Sequence, residues 1–116
     1  MSIRVALAIN SDGTQLEHFG HSGRFAIYEV EPDGLEPIPL EVRDSAPFCR
    51  QDEKQNKLET VAELLADCRL VVCAAIGACG ELELAFQHVD ALPFEGSIDE
   101  ALKAVANPRS PVWLNA

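Results

Sequence analysis

The chain of 116 residues reads as a single three-layer α/β domain. Three observations predict it. Ile3, Val5, Leu7 and Ile9 alternate with Arg4, Ala6, Ala8 and Asn10, the pattern of a strand with one strongly apolar face and small residues on the other. Leu70 to Ala75 is an unbroken apolar run of strand length, as expected of a parallel strand buried on both faces. Between and after them, helical stripes alternate with short strands, the order of βαβ units. A chain this short rarely holds two independent cores, so residues 1–116 are taken as one domain.

Each element has its own warrant. Ile3 to Ile9 forms the first strand, followed by a polar, glycine-containing stretch from Ser11 to Gly23. Phe25 to Val30 is the second strand, and Glu31-Pro32-Asp33-Gly34 is a turn signal. Leu35 to Val42 returns as a third strand. Pro37 and Pro39 cannot donate to a ladder, so this strand belongs at a sheet edge, where another chain could pair with it. Arg43 to Gln55 reads as a mobile loop. Leu58, Val61, Leu64 and Leu65 then share one helical face, with Asn56 and Glu59 as its start signal. After Leu70 to Ala75, Gly77-Ala78-Cys79-Gly80 turns into a helix that runs to about Gln87. Val89 to Pro93 is a short strand. Ser97-Ile98-Asp99-Glu100 is a capping box, and Ile98, Ala101, Leu102 and Val105 form the stripe behind it. The order is β-β-β-α-β-α-β-α, a mixed five-stranded sheet with an antiparallel hairpin side and a parallel βαβ side.

Composition limits the partners. Nine Lys and Arg stand against 19 Asp and Glu, a net charge of −10, while 47% of residues are hydrophobic. That apolar fraction suits a globular domain and not an obligately disordered chain. The acidity argues against nucleic acid or an anionic membrane, both of which are held by Lys and Arg. The N-terminus lacks the apolar region and cleavage site of a signal peptide, and no run approaches the roughly 18–20 residues that span a bilayer. A cytoplasmic location follows as the expectation, with the four cysteines as thiols or ligands and not a disulfide scaffold.

Two segments can carry chemistry. Asp12 to Ser22 follows the first strand, and loops at the carboxyl ends of α/β strands are common ligand sites. It holds His18 and His21 three residues apart, with Phe19 between them, and Gly20 and Gly23 free to take unusual backbone angles. These imidazoles either approach a metal centre or belong to a solvated loop. The second segment is Ile76-Gly77-Ala78-Cys79-Gly80. Backbone N–H groups at a helix start can hold an anion, and there the thiolate of Cys79 is favoured as a ligand or nucleophile; a plain tight turn is the other reading. Cys49, in a polar stretch, can reach a ligand, whereas Cys68 and Cys73 read as buried small hydrophobes. No cysteine pair has the spacing of a zinc ribbon, no Walker lysine or full Gly-x-Gly-x-x-Gly is present, and no Gly-x-Ser-x-Gly elbow occurs. Neither inner strand, Ile3 to Ile9 nor Leu70 to Ile76, carries the carboxylates of a two-metal nuclease. His88 reads as structural or solvated.

Ile3-Arg4-Val5-Ala6-Leu7-Ala8, Ser11-Asp12-Gly13, His18-Phe19-Gly20-His21 and Phe25 to Val30 form a series that Leu70-Val71-Val72 with Ile76-Gly77, Glu95 to Leu102, and the ending Asn107-Pro108 to Trp113-Leu114 continue along essentially the whole chain. In their order and spacing these segments together resemble the nitrogenase iron–molybdenum-cofactor biosynthesis family, which includes NifX-type and NafY-type carriers and the NifB-type C-terminal domain. The resemblance implies a ribonuclease H-like fold without nuclease activity. It implies a carrier, not an enzyme, that binds an iron–sulfur or iron–molybdenum cofactor precursor and escorts it between cofactor-assembly proteins or to apo-dinitrogenase. It also makes His18 the favoured cluster ligand. The chain departs from the family pattern at Cys79, which is an added ligand or a neutral variation. Together these readings place the cluster at His18, with Cys79 or Cys49 and His21, beside Phe19, Gly20, Gly77 and Gly80. Two competing readings are a regulatory or interaction domain without a cluster, and an enzyme using Cys79 as its nucleophile. Charge restricts the location: residues 10–25 hold only Asp12 and Glu17 against Arg24 and the histidines, so an anionic cargo meets little local repulsion there.

Overall fold

A computed structural model describes residues 2–32, 36–44 and 61–109. Cys49, most of the expected loop from Arg43 to Gln55, the start of the first helix, part of the Glu31–Gly34 turn and the end of the Asn107–Leu114 tail lie outside the described residues. Strands β1 (Ile3–Ile9), β2 (Arg24–Val30), β3 (Ile38–Asp44), β4 (Leu70–Cys73) and β5 (Asp90–Pro93) form one sheet in the order β3-β2-β1-β4-β5. β1 pairs antiparallel with β2 and parallel with β4; β2 with β3 is antiparallel, and β4 with β5 is parallel. The mixed sheet and its hairpin side and βαβ side are those the sequence predicts.

Side-chain period divides the core in two. Val5, Leu7 and Ile9 point to one face, where Ala101, Leu102, Val105 and Ala106 of helix α3 (Ile98–Ala106) cover them. Ala6 and Ala8 point to the other, against Val61, Ala62 and Leu65 around the helical residues 61–64 (α1) and Leu84 of helix α2 (Ala78–Phe86). Small residues on that face let the helices approach closely, while each large aliphatic residue buried opposite contributes about 1.5–3 kcal/mol. The layers are thus α1 and α2, the sheet, and α3.

Local chemistry sets the ends of the helices. In α3 the Ser97 hydroxyl accepts from Glu100 N–H at 3.1 Å and the Glu100 carboxylate accepts from Ser97 N–H at 3.0 Å, completing the expected capping box. Gly96, just before it, has φ +146°, and a Cβ there would stand 2.8 Å from the Phe94 ring. α2 ends in a Schellman motif: Val89 N–H donates to Leu84 C=O at 2.9 Å and His88 N–H to Ala85 C=O at 3.0 Å. His88 therefore takes the left-handed conformation, φ 61°, that glycine would adopt without steric cost.

β3 is an edge strand, as Pro37 and Pro39 predict, but it continues to Asp44. Arg43 and Asp44 pair with Phe25 and Arg24, and the Arg43 guanidinium spans to Asp67 with bonds of 2.6 and 2.8 Å. Asp67 also accepts from Arg4 at 2.7 Å, and Arg43 donates to Leu64 C=O at 2.9 Å. These bonds hold the Asp67 carboxyl well below the usual carboxylate range, through the Arg43 fork first and Arg4 second. They also join the edge strand to the end of α1.

Candidate functional site

The histidine segment is a turn pinned at many points. Asn10 Oδ1 accepts from Thr14 and Gln15 N–H, and Asp12 accepts from the Thr14 hydroxyl at 2.6 Å, which lowers the Asp12 pKa. Glu17 N–H donates to Ala8 C=O at 2.9 Å, and Ala74 N–H donates to Glu17 C=O at 3.0 Å. Phe19 N–H donates to Ala75 C=O at 2.8 Å. Residues 17–19 thereby lie along the segment that follows β4, at the carboxyl ends of both parallel strands.

A short 3₁₀ turn, Phe19–His21, presents the imidazoles. His21 and Ser22 N–H both donate to His18 C=O, at 3.0 and 3.1 Å. Behind the turn the buried Ser22 hydroxyl lies 3.0 Å from Ile9 C=O and 2.6 Å from Arg24 C=O, closing the turn onto β1 and β2. Periodicity gives no sign of Ser22, because a buried serine is identified by its partners and not by a pattern. Gly20 and Gly23 keep negative φ; among the described residues the glycines with positive φ are Gly13 and Gly96. The freedom expected of Gly20 and Gly23 is therefore not used in this conformation.

His18 and His21 stand with ring centroids 4.8 Å apart and planes at 69°. His21 is exposed and His18 half-buried. The backbone N–H of Gly20 donates to His18 Nδ1 at 2.9 Å, so in the neutral ring Nε2 carries the proton. Metal-ligating histidines ordinarily donate their second N–H to an acceptor, whereas here the second nitrogen faces a donor. A metal at Nδ1 therefore displaces the Gly20 N–H, and one at Nε2 needs the ring proton moved to Nδ1, which breaks the same bond.

Packing places the second candidate segment beside the first. The Phe19 ring is buried, 5.8 Å from Phe25 between centroids. It also lies against Gly80, where an added Cβ would stand 3.1 Å from Phe19 Cδ2 and 3.1 Å from Ile76 Cγ1. Phe19 and Gly80 thus lock the histidine turn onto the start of α2. Gly77 is the N-cap of that helix and is exposed, as is Cys79 in its first turn. Cys68 and Cys73 are buried, and burial pushes each thiol up to about 12, with Asp67 adding to the effect on Cys68 and Glu81 on Cys73. Neither is a thiolate at neutral pH, as their sequence positions suggest. Among the described residues, no three His, Cys, Asp or Glu side chains are grouped closely enough to share one metal ion, so His18, His21 and Cys79 do not converge in this conformation. No helix among the described residues is long and apolar enough to cross a membrane.

The central parallel strands of this mixed five-stranded sheet end at the histidine turn, so the α/β domain has its candidate site at the carboxyl edge, where such sheets commonly bind ligands. The fold is shared with the crystal structure of PH0822, at a TM-score of 0.64 and 21% identity over 90% of each chain. The family described as dinitrogenase iron–molybdenum cofactor matches residues 1–107, and the chain belongs to that family. Relatives include the FeMo cofactor biosynthesis protein NifB of Frankia alni, 31% identical over an alignment of 107 residues that covers 89% of this chain and 21% of that protein. Protein NifY of Azotobacter vinelandii is 32% identical over 120 residues, covering 97% of this chain and 47% of that protein. The chain spans less than half the length of either relative.

Proposed function

We propose that this domain is a non-catalytic carrier that takes up an iron–sulfur or iron–molybdenum cofactor precursor and hands it to a cofactor-assembly protein or to apo-dinitrogenase. We read its fold as ribonuclease H-like, with no nuclease chemistry. The observation that carries the proposal is the His18–His21 pair on a pinned turn at the carboxyl edge of β1 and β4. Iron clusters are held by thiolate and imidazole ligands, and the two imidazoles and the exposed thiol of Cys79 lie on turns locked together by Phe19 and Gly80.

A carrier needs ligands that hold and then release. Few ligands favour release, and the Gly20 bond adds a built-in competitor: re-forming it contributes about 0.5–1.5 kcal/mol toward the cargo-free turn. Cys49 is a further candidate ligand for the same cargo.

Anaerobic reconstitution with a synthetic iron–sulfur cluster, followed by desalting and iron analysis, tests the proposal. His18→Ala should lose most of the retained iron, and His21→Ala and Cys79→Ala part of it. Undiminished retention in all three variants would remove the carrier reading of this site.

A further inference from the structure

The outward face of α2 leaves apolar side chains in solvent. Gly80 and Leu84 are the buried residues of this helix. Ala78, Cys79, Leu82, Ala85 and Phe86 are exposed, Leu82 at 57% and Phe86 at 68%. With 3.6 residues per turn, Cys79, Leu82 and Phe86 fall in one row, and Ala78, Leu82 and Ala85 in a second beside it. A surface helix ordinarily turns its polar side chains outward. Here the two polar side chains, Glu81 and Glu83, stand at the flanks, and the face between them carries no charge. An apolar stripe rimmed by charge is the pattern of an interaction surface.

The charge around the stripe selects what covers it. Glu81 borders one side and Glu83 the other, α2 contains no Lys or Arg, and its last turn has no basic residue to meet the negative end of the helix dipole. A second copy of α2 would set these carboxylates against their own kind and bring a further charge of −10. An anionic lipid surface is repelled for the same reason. What fits is an apolar surface flanked by Lys or Arg. Its form follows from side-chain size: Leu82 and Phe86 make ridges, and Ala78 and Ala85 leave hollows beside them, the relief against which a second helix packs.

We propose that the outward face of α2 docks an amphipathic helix of another protein, one whose apolar stripe is flanked by Lys or Arg. The face starts at Cys79, so a partner seated on it stands beside the histidine turn that Phe19 and Gly80 lock to the same helix. Naming that partner as the protein that exchanges cargo with this domain rests on the carrier proposal; the docking itself does not.

Titration of the isotope-labelled, cargo-free chain with a helical peptide of about 18 residues, leucines on one face and lysines on both sides of it, tests the docking through amide chemical shifts. The shifts should centre on Ala78 to His88. Phe86→Ala, which keeps helix propensity, should weaken binding by about tenfold or more. Exchanging the peptide's lysines for glutamates should abolish binding, and Glu81→Lys combined with Glu83→Lys should restore it. A wild type that does not bind the lysine peptide, shifts centred on another surface, or an affinity unchanged in Phe86→Ala would overturn the proposal. So would a fall in Tm of more than about 5 °C in Phe86→Ala, the sign that the chain covers this face itself. Self-association of the wild type that Phe86→Ala abolishes, seen by sedimentation velocity, would overturn it in favour of a second copy. A wild type that retains no iron after reconstitution removes the carrier proposal alone, because the titration is made without cargo.

Discussion

Replacing Gly80 by alanine tests whether the histidine turn and α2 are locked by a close approach. Two effects oppose each other. Alanine in a helix is favoured over glycine by up to about 1 kcal/mol, and less in the first turn. Against this, the new Cβ would stand 3.1 Å from Phe19 Cδ2 and 3.1 and 3.3 Å from two atoms of Ile76, where carbon atoms prefer about 3.5–4.0 Å. Phe19 has little room to retreat: its ring is 2% exposed and backed by Phe25, and its N–H is bonded to Ala75. Overpacking at such a place costs about 1–3 kcal/mol, so the steric effect wins by about 1 kcal/mol. For a domain of this size that lowers Tm by roughly 5 °C, measurable by calorimetry. In a Phe19→Leu background, which removes the ring atom in the way, the same glycine-to-alanine change should become neutral or stabilising. A Tm at or above wild type for Gly80→Ala, or an equal cost in both backgrounds, would refute the reasoning.

Other outcomes follow from the same coordinates. Asp67→Asn should destabilise the fold by about 1 kcal/mol near pH 7, a value kept small because Asp67 is 40% exposed on its side chain. Because the folded carboxyl is depressed, its contribution is fully present above the ordinary value of 3.8 and is lost as pH falls below it. Denaturation of wild type and variant should therefore converge in acid, and a gap that widened there would contradict the assignment. His88→Gly should raise stability by about 0.5–1 kcal/mol by relieving the left-handed strain at the end of α2, while His88→Ala should not, as urea denaturation would report. Iodoacetamide at pH 8 should label Cys79 in the native state and spare Cys73, whose thiol is pushed up to about 12; peptide mapping showing equal rates would count against that burial effect.

Much of the architecture is legible in the chain because it rests on short-range rules. The alternation in Ile3 to Ile9, the proline-marked edge and the Ser97–Glu100 box each act within a few residues, and each appears where expected. Features set by tertiary contact are less visible. β3 extends to Asp44 because Arg43 finds Asp67, a partner 24 residues away. The left-handed position at the end of α2 falls on His88, a residue type that signals it far less than glycine does, while Gly20 and Gly23 stay in ordinary conformations. Both candidate turns can be located from the strands that precede them, but not the lock between them, which depends on one aromatic ring meeting one glycine. The bond from Gly20 to the His18 ring is equally invisible in residue order, although it sets the tautomer of the ring.

Phe19 is anchored twice, by its backbone to the strand end at Ala75 and by its ring beneath the first turn of α2. Two anchors on one residue make the histidine turn and that helix end a single rigid lever. A partner gripping the exposed side of α2 would push or pull on the imidazoles without touching them. The helix is in that sense a handle, joined to the turn through one benzyl group.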